Sequence, residues 1–159
     1  MDFYPEHLRG KIDEVNGWVY PFINNGVYRC GFASTQAAYE EAFTSLFKHL
    51  DQVEEILSKN RYIAGSALTE ADVRLFTTLI RFDAVYVGHF KTNLKRIVDY
   101  PNLQNYLKEL YQMPGIKETV NFYHIKHGYY GSLKSNNPSG IVPLGPALDL
   151  DSSHDRHRF

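Results

Sequence analysis

The stretch LTEADVRLFTTLIRFDAVYVGHF, residues 68–90, decides how the chain reads. It opens with a helix-start signal. Thr69 serves as N-cap, its hydroxyl placed to accept from the backbone N–H of Asp72. Asp72, three residues on, can reach back to the N–H of Thr69, closing a capping box with a carboxylate where Glu or Gln is more usual. Leu68 before the cap and Val73 after the first turn are spaced as a hydrophobic staple. Glu70 and Asp72 put negative charge at the positive end of the helix dipole. The apolar residues that follow, from Val73 to Val87, fall on nearly every face of a helix. Such a helix is buried and central. Arg74, Arg81 and Asp83 make it too charged, and its length too short, to cross a bilayer.

Working towards the N-terminus, Thr35 or Ser34 caps a long helix ending near Lys59. Tyr39, Phe43, Leu46, Phe47, Leu50, Val53 and Leu57 form its apolar stripe. Before it, residues 22–34 (FINNGVYRCGFAS) read as a loop, because Asn24, Asn25, Gly26 and Gly31 are turn formers. Residues 2–20 read as a first helix stopped or bent by Pro21. Towards the C-terminus, Tyr100-Pro101 starts a helix ended by Met113-Pro114-Gly115, and a last short helix covers 116 to about 127. From Gly128 the chain turns to Gly, Ser, Asn and Pro. Ile141 to Leu144 suggest that the first half of this tail lies against the domain. The last stretch, DLDSSHDRHRF, is polar and expected to be mobile. The expected fold is all-α: one helical domain over 1–127 with an irregular packed tail over 128–159.

Composition narrows the function. Apolar residues are 43 % and aromatics 14 %, with 12 Tyr and 10 Phe. That many rings make either a large-residue core or an aromatic-lined pocket. A net charge of −1 gives no electrostatic reason to bind nucleic acid or an anionic membrane. One cysteine, Cys30, excludes an internal disulfide and suits a reducing compartment, so the cytoplasm is the expected location. His124/His127 and His154/His157 are spaced for one helix face. They lack the third ligand and second shell of a zinc site, so no metal is expected. Cys30 beside Arg29 is either a small buried residue or a thiol with a lowered pKa. No self-contained catalytic constellation is present, so no catalytic residue is assigned.

Five strings carry a resemblance: INNGVYRCGFASTQAAYEEA (23–42), LTEADVRLFTTLIRFDAVYVGHFK (68–91), DYPNLQNYLKELY (99–111), VNFYHIKHGYYGS (120–132) and NPSGIVPLGP (137–146). They resemble the glutathionyl-hydroquinone reductases, the Xi-class glutathione S-transferases, over that family's C-terminal half. The resemblance implies a glutathione S-transferase C-terminal helical bundle of about six helices. It implies glutathione as co-substrate, an aromatic quinol ligand and a homodimer. The tyrosine of NNGVY, Tyr28, and the first tyrosine of the YY pair, Tyr129, look like the quinone-site tyrosines. Both must then face one cavity, with hydroxyls within about 10 Å. Gly128 and Tyr123 depart from the family pattern beside that pocket.

Such enzymes hold their catalytic cysteine in a Cys-Pro-Trp motif on an N-terminal thioredoxin-like domain. These 159 residues contain no such motif and no βαβ pattern. That domain is therefore expected to be absent, and the chain alone to be inert. Cys30 sits where the family has Ala or Thr and does not match the nucleophile. The alternatives are a stand-alone domain that pairs with another protein, such as a thioredoxin-like one, and a truncated or degenerate product.

Overall fold

In the computed structural model, which describes residues 2–159, five helical rods carry the fold. The rod α1, residues 9–31, is an α-helix over Arg9–Val19, a π segment over Tyr20–Asn24 and α-helix again over Asn25–Gly31. The second, α2, is Gln36–Lys59. The central α3, residues 70–89, joins Glu70–Arg81 to a π segment Phe82–Tyr86 and a last turn Val87–His89. Then come α4, Pro101–Gln112, and α5, residues 122–131, in which Phe122–Lys126 runs into a π segment His127–Gly131. Single 3₁₀ turns occupy the connections. Among the described residues there is no β-strand. Among the described residues no helix is long and apolar enough to cross a membrane.

α2 begins where the sequence says it should: the Thr35 hydroxyl accepts from the N–H of Ala38 at 3.2 Å. Its stripe, Leu46, Phe47, Leu50, Val53 and Leu57, is buried against α1 and α4. α3 is central, with Leu75, Leu79, Phe82 and Val85 fully enclosed. Thr69 and Asp72 form a capping box. Its return half is short, Thr69 N–H donating to Asp72 Oδ2 at 2.8 Å, and the Thr69 hydroxyl donates to the same oxygen at 3.1 Å. Asp72 Oδ1 accepts from the Ile63 N–H at 2.9 Å and the Tyr106 hydroxyl at 2.7 Å. One fully buried carboxylate thus ties together α3, α4 and the connection before α3. Burial raises its pKa, and the hydrogen bonds pull the other way.

Three readings change. Residues 22–34 are mainly helix rather than loop, and the first helix does not stop at Pro21. The π segment accommodates the proline by widening one turn, with the Asn25 N–H bonding back to Tyr20 O. Gly31 serves close packing, since a Cβ there would overlap the Phe90 ring, whereas one at Gly26 would meet Leu46 only in ordinary contact at 3.6 Å.

The last helix runs to Gly131, so the expected boundary at 127/128 lies within it. Continuous rods number five, against the about six that the resemblance implies.

In the tail, Val142 packs on the core and Asn136 Nδ2 donates to the Gly31 carbonyl at 2.6 Å, while Ile141 and Leu144 are exposed. The polar end, expected to be mobile, is anchored. Leu150 is buried, and Gln112 Nε2 donates to the carbonyls of Leu150 at 2.7 Å and Ser152 at 2.8 Å. The Arg156 side chain is fully enclosed at the C-terminus of α2. It donates to the carbonyls of Leu57 at 2.9 Å, Asn60 at 2.5 Å and Arg61 at 2.7 Å. Those carbonyls have no partner further along the helix, and the dipole there favours a cation.

Candidate functional site

Tyr28 sits on the last α-helical stretch of α1, and Tyr129 lies in the π segment of α5. Their hydroxyls meet at 2.5 Å across 101 residues of sequence. The expectation of one shared cavity assumed room for a ring between the two hydroxyls. They touch instead, so a ligand has to take them from the side. Two open clefts meet at this contact. One, of about 570 Å³, is bounded by Tyr20, Asn24, Tyr28, Thr77, Arg81 and Tyr129 among others. The other, of about 480 Å³, includes Tyr28, Phe32, Arg81, His124, Gly128 and Tyr129. Gly128 leaves the second cleft open on its α5 side, since nothing lies within 4 Å of where its Cβ would be. Tyr123 stacks on His127, with centroids 3.8 Å apart, and is exposed outside both clefts.

A third phenol completes the group. The Tyr86 hydroxyl lies 3.0 Å from that of Tyr129. Tyr86 is 2 % exposed, and its ring stacks on Phe90, with centroids 5.4 Å apart. Sequence reading missed it, because Tyr86 stands in an apolar run and looks like any core aromatic. All three tyrosines lie within a π segment or four residues beyond one, and π turns are frequent at functional sites.

Three hydroxyls supply three protons, and the two contacts use two of them, which leaves one for the cleft. Either oxygen can donate in each contact. Each donated bond polarises the next. Burial, reinforced by the bond to Tyr129, drives the pKa of Tyr86 far above the usual phenol value. Burial and the bond to Tyr28 push Tyr129 up to about 12. Tyr86 and Tyr129 therefore stay protonated near neutral pH.

Cys30 is not part of this group. It is 4 % exposed, and burial pushes its thiol up to about 11 against the smaller opposing pull of Arg29. A thiol held protonated and enclosed is a poor nucleophile. We expect a thiol reagent to leave Cys30 unmodified in the native chain and to label it on unfolding. Labelling of the folded protein at the rate of a free thiol would contradict this assignment. Among the described residues no group of three or more His, Cys, Asp or Glu could hold a metal ion.

Comparison with known proteins agrees with the geometry. Residues 36–109 match the family model of the glutathione S-transferase C-terminal domain. The chain is 56 % identical over 155 residues to the glutathionyl-hydroquinone reductase YqjG of Escherichia coli, covering 98 % of this chain and 47 % of that protein. It is 55 % identical over 149 residues to the glutathionyl-hydroquinone reductase PcpF of Sphingobium chlorophenolicum, covering 94 % of this chain and 48 % of that one. The glutathione-bound structure of YqjG superposes with a TM-score of 0.99 at 55 % identity, over 100 % of this chain and 52 % of that one. The Xi-class transferase of Phanerochaete chrysosporium superposes with a TM-score of 0.92 at 54 % identity, over 98 % of this chain and 52 % of that one.

The bundle is a glutathione S-transferase C-terminal helical domain. Within that class the chain belongs with the Xi-class transferases and glutathionyl-hydroquinone reductases, and corresponds to their C-terminal half. It spans about half the length of the curated relatives it matches.

Proposed function

We propose that this chain is the substrate-binding and dimerising half of a cytoplasmic glutathione-dependent reductase acting on glutathionyl-hydroquinones. The observation that supports it best is the Tyr28–Tyr129 contact at the junction of two open clefts. In this reading a cysteine thiolate on a thioredoxin-like domain attacks the glutathionyl sulfur. A disulfide forms, the sulfur–ring bond breaks, and the ring takes the electron pair and a proton. A second glutathione then regenerates the thiol. The chain described here supplies the aromatic site. Tyr28 donates to a ring oxygen, Tyr129 and Tyr86 hold and polarise that donor, and the ring packs on the phenol faces.

Calorimetric titration of the 159-residue chain with a glutathionyl-hydroquinone tests this. Tyr28→Phe removes the outward donor and should weaken binding by roughly 2- to 10-fold at an unchanged thermal midpoint. Equal affinity in the two proteins would remove the support for the site.

A second reading, an interaction domain without catalysis, draws on a groove lined by Phe3, Leu68, Val73, Phe76, Leu110 and Met113, with almost no polar surface. Both readings lead us to expect self-association or partner binding, because a connected apolar groove tends to be covered. Light scattering should show a species larger than a monomer at tens of micromolar, a range roughly set by the affinity of modest interfaces. A strict monomer would count against dimerisation through this chain.

A further inference from the structure

Arg81 stands on α3 immediately before the π segment that carries Tyr86. It is half-buried and belongs to the walls of both clefts that meet over the Tyr28–Tyr129 contact. Its Nη1 donates to the Thr77 carbonyl at 2.6 Å. Among the described residues it forms no ion pair with a carboxylate. The other arginine in these walls, Arg74, is neutralised by Glu70 at 3.2 Å. His124 is the remaining ionisable group there besides the tyrosines. The Arg81 charge is felt at Tyr129, pulling its pKa down against the larger upward push of burial.

An arginine offers five N–H donors in a planar fork and stays charged at any working pH. Here most of that fork is uncommitted, in a half-buried wall where charges are screened less than in open water. The hydroxyl cluster has one proton left to donate into the same mouth. An oxygen bound there lies in a cleft whose wall carries a cation that no carboxylate neutralises. We propose that Arg81 is a specificity residue that makes this site select aromatic ligands in the ionised form, as phenolates rather than neutral phenols. The inference rests on the aromatic-site reading above and adds the charge state of the ligand. Tyr28 fixes where the oxygen sits, and Arg81 decides which protonation state of that oxygen is held.

The test uses p-nitrophenol, whose anion absorbs separately from its neutral form, titrated into the 159-residue chain across the pH range in which the free phenol ionises. The wild type should bind the anion about tenfold more tightly than the neutral form, the effect of one nearby opposite charge. Bound ligand should therefore ionise at a lower pH than free ligand. Arg81→Gln should level the two affinities. Arg81→Lys should keep a preference for the anion, and so should Arg74→Gln and His124→Gln. Tyr28→Phe should weaken both forms. Circular dichroism confirms that each variant is folded, and Arg81→Met, likewise expected to lose the preference, carries the test if the Gln variant is not. Binding that is lost in Tyr28→Phe but shows no preference for the anion would overturn the inference and leave the aromatic site standing. A preference that survives in Arg81→Gln would do the same. No binding of either form to the wild type would overturn both.

Discussion

Replacing Asp72 by alanine should cost about 3–5 kcal/mol of stability, the largest effect expected of any single substitution here. The carboxylate is fully enclosed and accepts from two backbone N–H groups, of Ile63 and Thr69, and from two hydroxyls, of Thr69 and Tyr106. Alanine leaves these donors facing one another with no water to turn to. Each buried unsatisfied donor costs about 1–3 kcal/mol, and relaxation keeps the total below the sum. Asp72→Asn retains one carbonyl oxygen and should lose about 1–2 kcal/mol.

Acidity separates the charge from the hydrogen bonds. Burial raises the folded pKa of Asp72 above its ordinary 3.8. Across the window between the unfolded and folded values, the native state binds a proton that the unfolded state does not. The contribution of this group is fully present below the unfolded value and is lost as pH rises through the folded one. Wild type should therefore gain stability relative to Asp72→Asn on acidification from neutral pH. Urea denaturation of both proteins at several pH values measures this, and a gap that moves the other way would contradict the assigned shift.

The second large effect lies at the far end of the chain. Arg156→Ala should cost about 2–4 kcal/mol, through loss of three charge-assisted bonds at the end of α2. Burial lowers the pKa of Arg156, but a guanidinium remains charged. Lysine cannot reach three carbonyls from one planar fork, so Arg156→Lys should recover only part of the loss. Limited proteolysis gives a second readout. Cleavage within 149–159 should be slow in the wild type and fast in Arg156→Ala. Equal rates would mean that the arginine does not hold the tail.

How much of this was legible depends on where the information sits. α2 was readable because Thr35 and its apolar stripe are local signals that nothing contradicts. The stretch 22–34 was misread for the opposite reason. Asn24, Gly26 and Gly31 favour turns on their own, and only the contact with Phe90, remote in sequence, turns Gly31 into a packing residue. The polar end of the tail failed in the same way. Arg156 looks like a solvated charge until the end of α2, some hundred residues earlier, is placed beside it. At the site, Tyr28 and Tyr129 could be proposed only from resemblance. Tyr86 carried no mark, since its role exists only through a bond to Tyr129.

The π segments have one more consequence. Each adds about one residue to a turn, and one residue of α-helix corresponds to roughly 100° of rotation about the axis. The azimuth at which α1, α3 and α5 present Tyr28, Tyr86 and Tyr129 is therefore set by the count of residues in Tyr20–Asn24, Phe82–Tyr86 and His127–Gly131. Many substitutions in those turns would leave the hydroxyls pointing at one another. Deleting any one residue and letting the helix close to ordinary pitch would swing a phenol a quarter-turn out of the cluster. The meeting of the three phenols in this bundle is thus stored as helical phase, and its weak point is chain length rather than side-chain identity.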